Sequence, residues 1–184
     1  MNTNKRKIES RNSIRLTNYD YSNTGWYYVT VCTKDRKCIF GDIENGKMIS
    51  NTVGKMVENL WHSLPNHYPV ELDTFQNMPN HVHFVIRIVN NRRGLIHQTR
   101  PKFGQWMGMI NHAPTLGHII RFFKAKSSRT AGQKLWQRNF WEHVIRTGSD
   151  LEKIRIYIKN NPKMWNRDRN NPDNIYFNLC SISR

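Results

Sequence analysis

Two histidines separated by one residue, His81 and His83, begin a patterned stretch that runs from Met78 to Ile88. Apolar side chains occupy every second position (Val82, Phe84, Ile86, Ile88), the period of a half-buried β-strand. Side chains alternate faces along a strand, so His81, His83, Val85 and Arg87 share the other face. Two imidazoles pointing the same way from a stiff support can share one divalent ion, and phosphoryl transfer uses such a site. The polar face of an antiparallel sheet also carries histidine by chance, so this spacing is a weak signal until a second segment joins it.

The second segment is 148–162, which holds Tyr157 and Asn161. Ser149 followed by Glu152 forms a capping-box pattern and predicts that a helix starts there. Pro162 disfavours helical geometry at Asn161 and predicts the end of that helix. Leu151, Ile154 and Ile158 supply its buried stripe, with Tyr157 and Asn161 together at the border of the stripe. A tyrosine phenol can attack a phosphodiester and keep its bond energy in a phosphotyrosine link. An amide oxygen suits a hard cation such as Mg²⁺ or Mn²⁺. The competing reading is that Tyr157 is a half-buried packing residue.

The elements that must position these groups follow in order. The run 26–33 is aromatic and β-branched and reads as a strand in the middle of a sheet. Val53, Met56, Val57, Leu60 and Leu64 mark a helix. Residues 70–77 alternate as a second strand, and 80–89 is the histidine strand. Leu116, Ile119, Ile120 and Phe123 define another helix, with Arg121, Lys124 and Lys126 on its outer side. Residues 136–146 read as the last strand before the tyrosine helix. The order β-α-β-β-α-β plus a final helix matches a split βαβ, ferredoxin-like α+β fold.

Residues 90–113 form a long connection that carries Arg92, Arg93, Arg100 and Lys102, no acid, and the aromatic rings of Phe103 and Trp106. Cations interleaved with aromatics one step from the histidines predict a clamp on single-stranded DNA, against the alternative of a solvated insertion. The whole chain points the same way. Lys and Arg number 29 against 13 Asp and Glu, giving a formal charge of +16 that favours a polyanionic partner. At 184 residues the chain is long enough for one domain with a substantial core. Cys32, Cys38 and Cys180 are odd in number and form no C-x-x-C pair, which argues against a disulfide framework or zinc knuckle. No apolar run approaches a membrane span, and the first residues (Lys5, Arg6, Lys7, Glu9, Arg11) lack a signal-peptide core. A cytoplasmic protein is expected.

Three ordered motifs carry a resemblance: Met78-Pro79-Asn80-His81-Val82-His83, the stretch 135–146 (LWQRNFWEHVIR), and the stretch 157–162 (YIKNNP). Together they resemble the single-tyrosine HUH transposases, most closely the REP-associated tyrosine transposases related to small insertion-sequence transposases. The resemblance covers roughly 26–165, and three motifs in order make it specific. It implies a ferredoxin-like sandwich whose C-terminal helix carries the tyrosine. It also implies His81 and His83 as ligands of Mg²⁺ or Mn²⁺, Tyr157 as nucleophile and Asn161 as third ligand. The expected partner is single-stranded DNA with hairpin-forming repeats, and the expected chemistry is cleavage and strand transfer through a 5′-phosphotyrosine. Phosphate contacts are expected from Arg121, Lys124, Lys126 and Arg129, with Arg92, Arg93 and Trp106 in the clamp. Three segments result: a basic arm over 1–24, a catalytic domain over 25–166 and a tail over 167–184. His143 is expected to orient neighbours rather than react. The rival readings are a non-catalytic nucleic-acid-binding module on the same fold, a relative that cleaves DNA for replication or conjugation, and a metal-dependent hydrolase that uses water. Both monomer and homodimer remain open.

Overall fold

β1 (Gly25–Cys32) is inner in its sheet because its alternating residues have a core on both sides. Tyr27, Val29 and Val31 are fully buried on one face, while Tyr28 packs on the other with Val85. The computed structural model describes residues 20–89 and 114–174. The expectations for the arm before residue 20, the clamp with Arg92, Arg93 and Trp106, Cys180 and the tail beyond 174 lie outside the described residues.

A hairpin follows, β2 (Gly41–Glu44) and β3 (Lys47–Ser50), then α1 (Thr52–His62), β4 (Val70–Met78) and the histidine strand β5 (His81–Ile88). α2 (Leu116–Thr130), β6 (Trp141–Ile145) and α3 (Gly148–Asn160) complete the order. The main sheet runs β4-β5-β1-β6 with every neighbour antiparallel, as the split βαβ pattern predicts. α1 and α2 cover one face through Val57, Leu60, Ile119, Ile120 and Phe123, which pack with Val82, Phe84 and Ile86. α3 covers part of the other face, where Ile158, Leu151 and Ile154 meet Tyr28, Val85 and Ile145.

Four local expectations need correction. The hairpin at 41–50 was not expected, although Asn45 and Gly46 carry its signal. Both residues have positive φ (50° and 71°), as a two-residue turn matched to strand twist requires. The last strand is shorter than the expected 136–146. Trp136 makes only an isolated bridge to Thr33, and the carbonyls of Gln137, Arg138 and Asn139 turn toward the Lys124 ammonium instead of a ladder.

The tyrosine helix is capped by Thr147, not Ser149: Thr147 has extended backbone and its Oγ1 accepts from the Asp150 N–H at 3.1 Å. Ser149 is already inside the helix. Asn161 keeps helical dihedrals (φ −56°, ψ −42°) despite Pro162, which opens a 3₁₀ turn over Pro162–Arg167. Pro162 ends the α-helical ladder without redirecting the chain, because the first position of a helical turn needs no N–H. Among the described residues, no helix is long and apolar enough to cross a membrane.

Candidate active site

Alternation along β5 delivers both histidines to the α3 face, and their rings meet. Nε2 of His81 lies 2.9 Å from Nε2 of His83. Each outer nitrogen is anchored. Nδ1 of His81 is 2.9 Å from Oδ1 of Asn80, while the Asn80 amide nitrogen donates to the carbonyls of Arg36 (3.0 Å) and Asn170 (2.6 Å). Those two carbonyls fix which way the amide faces, so Oδ1 accepts and His81 Nδ1 carries the hydrogen. The Nε2 lone pair of His81 is thereby turned inward. His83 Nδ1 sits 2.9 Å from both the Tyr28 hydroxyl and Thr30 Oγ1. Burial lowers the pKa of His81 to about 3 and holds His83 well below the usual imidazole range. Both rings are neutral at pH 7, the state in which imidazole ligates metal.

A third group reaches them from outside the sheet. Asp168 follows the 3₁₀ turn, its Oδ2 lies 3.9 Å from His81 Nε2, and the ligand atoms of His81, His83 and Asp168 all fall within 4.8 Å of one another. Its loop is tied down locally: Asp168 Oδ1 accepts from the Asn170 N–H, and the Asn174 amide donates to the Asp168 carbonyl. Asn161 lines the same cavity, is 4% exposed, and its Oδ1 has no hydrogen-bond partner. A buried amide oxygen without a donor is costly unless a cation supplies one. A cation with octahedral ligands at about 2.1 Å holds neighbouring donors about 3 Å apart. The 2.9 Å between the imidazole nitrogens fits that spacing. The His81–His83–Asp168 cluster therefore fits a hard divalent ion, and the unpartnered Asn161 amide oxygen lies in the wall of the same cavity.

Tyr157 stands at the mouth of this cluster. Its ring centroid is 5.7 Å from His83 and 6.2 Å from Tyr28, and it is 51% exposed. Exposure separates it from Tyr28, which is 7% exposed and whose hydroxyl is held neutral by burial. The packing expectation for Tyr157 fails for the same reason: Ile158 is the buried residue, and the tyrosine turns outward. α3 is held to its own sheet by Ile158 and by Arg155, whose guanidinium donates twice to the Asp73 carboxylate on β4 (2.9 and 2.5 Å).

A cavity of 740 Å³ is lined by His83, Asp168, Asn161 and Tyr157 and also by Arg36, Arg167, Arg169, Gln137, Asn139 and Trp141. The three arginines are exposed and form no ion pair among the described residues. Arg36 follows Asp35 in a turn where both adopt positive φ (53° and 58°), a conformation that costs energy without glycine and gathers at functional sites. Motif reading passed over Asp168 and Arg36, which lie in loops with no period to betray them.

The expected phosphate contacts on α2 stand elsewhere. α2 packs on the face of the sheet opposite the histidines, where Arg121 and Arg129 are exposed. Lys126 lies 3.3 Å from His67 and over the Phe122 ring. Lys124 is not on an open outer side, because its ammonium is spent on three backbone carbonyls. Burial draws its pKa down to about 8, so it remains charged at pH 7. His143 is exposed on β6, its ring parallel to Trp141.

Comparison with known proteins supplies the family. The profile of the family described as "Transposase IS200 like" matches residues 22–161. A Haemophilus influenzae protein of uncharacterised function is 36% identical over 168 residues, covering 88% of this chain and 93% of its own. A second H. influenzae protein, provisionally named a REP-associated tyrosine transposase, is 26% identical over 153 residues, covering 80% and 76%. Among solved structures, a REP-associated tyrosine transposase bound to a REP hairpin superposes with a TM-score of 0.56 at 18% identity. That match covers 81% of this chain and 73% of the other and shows the shared fold. The chain belongs to the IS200-like transposase family, and its relatives mark it as an enzyme that acts on DNA.

Proposed function

We propose that this protein is a metal-dependent single-stranded DNA endonuclease and strand transferase whose nucleophile is Tyr157. The observation that carries the reading is an exposed phenol 5.7 Å from the buried, neutral His83 ring of the His81–His83–Asp168 cluster. His81, His83, Asp168 and Asn161 are the residues that would hold Mg²⁺ or Mn²⁺. When bound, the cation polarises the scissile phosphate and offsets the charge that gathers there during displacement.

The protein's own groups do the rest. Asn80 keeps the His81 lone pair turned inward, and Tyr28 with Thr30 orients His83. Arg36, Arg167 and Arg169 line the cavity where neighbouring phosphates must pass. The Tyr157 oxygen bonds to phosphorus as the bond from phosphorus to the 3′-oxygen breaks. The phenol proton ends on the released 3′-hydroxyl, and the 5′-phosphate stays on the tyrosine. Attack by a 3′-hydroxyl reverses the step, re-forms a diester and returns the proton to Tyr157, so strands reseal or transfer without ATP. The REP hairpin bound to the structural relative supports palindromic, hairpin-forming repeats as the substrate class. The protein acts on DNA in the cytoplasm, as a monomer or a homodimer.

A covalent-adduct assay tests the reading. The protein is mixed with labelled single-stranded DNA from the palindromes beside its own gene, with Mn²⁺ or with chelator, and run on a denaturing gel. A metal-dependent shifted band lost in Tyr157→Phe and His81→Ala is expected. Cleavage that persists in Tyr157→Phe would mean attack by water; binding without cleavage would mean a non-catalytic module.

A further inference from the structure

The edge strand β6 places Trp141 and His143 on the same face of the sheet as His83. Pairing puts His83 opposite Thr30 and Thr30 opposite Trp141, one rung across three strands. Two strand spacings set Trp141 about 10 Å from His83 along that rung. Tyr28, which contacts His83 through its hydroxyl, meets the Trp141 ring edge-on at 5.3 Å and braces it. Trp141 is 45% exposed, whereas Trp61, Trp136 and Trp165 are 2%, 2% and 9% exposed. The His143 ring lies parallel to it within 8°, centroids 6.2 Å apart.

A large ring left in water on a rigid strand, with a second ring aligned to it, is a surface shaped for a flat partner. The surroundings decide which. The cavity beside Trp141 carries Arg36, Arg167 and Arg169 for anionic oxygens, with Gln137 and Asn139 on its wall. An apolar protein surface would leave these groups unpaired, whereas a nucleotide presents a π-face, polar edges and a phosphate together. We propose that Trp141 and His143 form the stacking platform for the base of the nucleotide adjoining the scissile phosphate. This rests on the reading of Tyr157 and His83 as the cleavage site. The base lies on the Trp141 ring with His143 extending the ledge, and its phosphate faces the arginines.

The test places 2-aminopurine at successive positions of the single-stranded substrate, around the cleavage position mapped by the adduct assay. Binding is read in chelator, so no strand is cut. Quenching is expected at one position beside the cleavage point, lost in Trp141→Ala and kept in Trp141→Phe. Affinity is expected to fall about 5- to 150-fold in Trp141→Ala, with a similar fall when that nucleotide is abasic. The abasic substrate with Trp141→Ala should bind no worse than either alone, because both remove one contact. Unchanged quenching in a Trp141→Ala protein with native circular dichroism overturns the platform, as does an abasic substrate that binds like the parent. If wild-type protein forms the adduct while these signals fail, the platform falls and the cleavage reading stands. If it neither binds nor forms an adduct, both fall.

Discussion

The Tyr28 hydroxyl lies 2.9 Å from Nδ1 of His83, joining the residue before Val29 to the second histidine across two strands. Partners of this kind set the orientation and basicity of a ligating imidazole. Tyr28→Phe keeps the ring, and so the packing, while removing that contact. Mn²⁺ affinity is expected to fall about 10- to 100-fold with little change in fold, as calorimetry would show. An unchanged affinity would mean that Thr30 alone orients His83.

The Arg155–Asp73 pair fastens the tyrosine helix to β4. Its hydrogen bonds with Arg155 hold the Asp73 carboxyl below its usual range. The folded form therefore binds fewer protons than the unfolded chain as pH approaches the carboxylate range. The pair's contribution is complete above about pH 3.9 and lost as pH falls through the lowered folded value. With both side chains partly in solvent, it is worth about 0.5–1 kcal/mol near pH 7. Asp73→Asn should flatten the acid limb of an unfolding-versus-pH curve and slow adduct formation more than it lowers Tm.

Lys124 and the cavity arginines separate stability from DNA contact. Lys124→Met leaves the carbonyls of Gln137, Arg138 and Asn139 to water and should cost about 0.5–1.5 kcal/mol in denaturant unfolding. Its salt dependence of DNA binding should match wild type. Arg36→Ala and Arg169→Ala should each lower the slope of log affinity against log salt by about 0.7. Equal slopes in all three variants would remove the arginines from the DNA path.

The cap of the tyrosine helix offers a stability comparison within three residues. Thr147→Ala removes the acceptor for the Asp150 N–H and should destabilise by about 1 kcal/mol. Ser149→Ala should change stability by less than about 0.5 kcal/mol. Thermal unfolding of the two variants decides between them, and a reversed order would place the cap at Ser149.

Much of the fold was legible because it is written in short periods. Alternation over 82–88 placed Val82, Phe84 and Ile86 in the core and turned His81 and His83 the other way, and the structure keeps that division. The stripe of α2 and the central position of β1 were legible on the same ground. The hairpin at 41–50 was readable from Asn45-Gly46, but its strands are four residues each, too short for periodicity to stand out. Thr147 and Ser149 both start acceptable capping patterns, and the end of β6 at Ile145 selects the earlier one.

The sequence by itself determined the paired histidines on one strand face, the tyrosine and amide on one helix side, the basic character and the family resemblance. The first two depend on neighbours a few residues apart, where backbone geometry alone dictates direction; the others are read from composition and from the order of motifs. Tertiary structure decided that Asp168 closes on His81, that Asn80 and Tyr28 lock the two rings, and that Lys124 faces carbonyls rather than solvent. It also placed Trp141 on the rung of His83. Most of those relationships join distant residues or loops without a period, and even Asn80, beside His81, is oriented by the Arg36 and Asn170 carbonyls 44 and 90 positions away. They exist only once sheet pairing and core packing have chosen a register that no local pattern encodes.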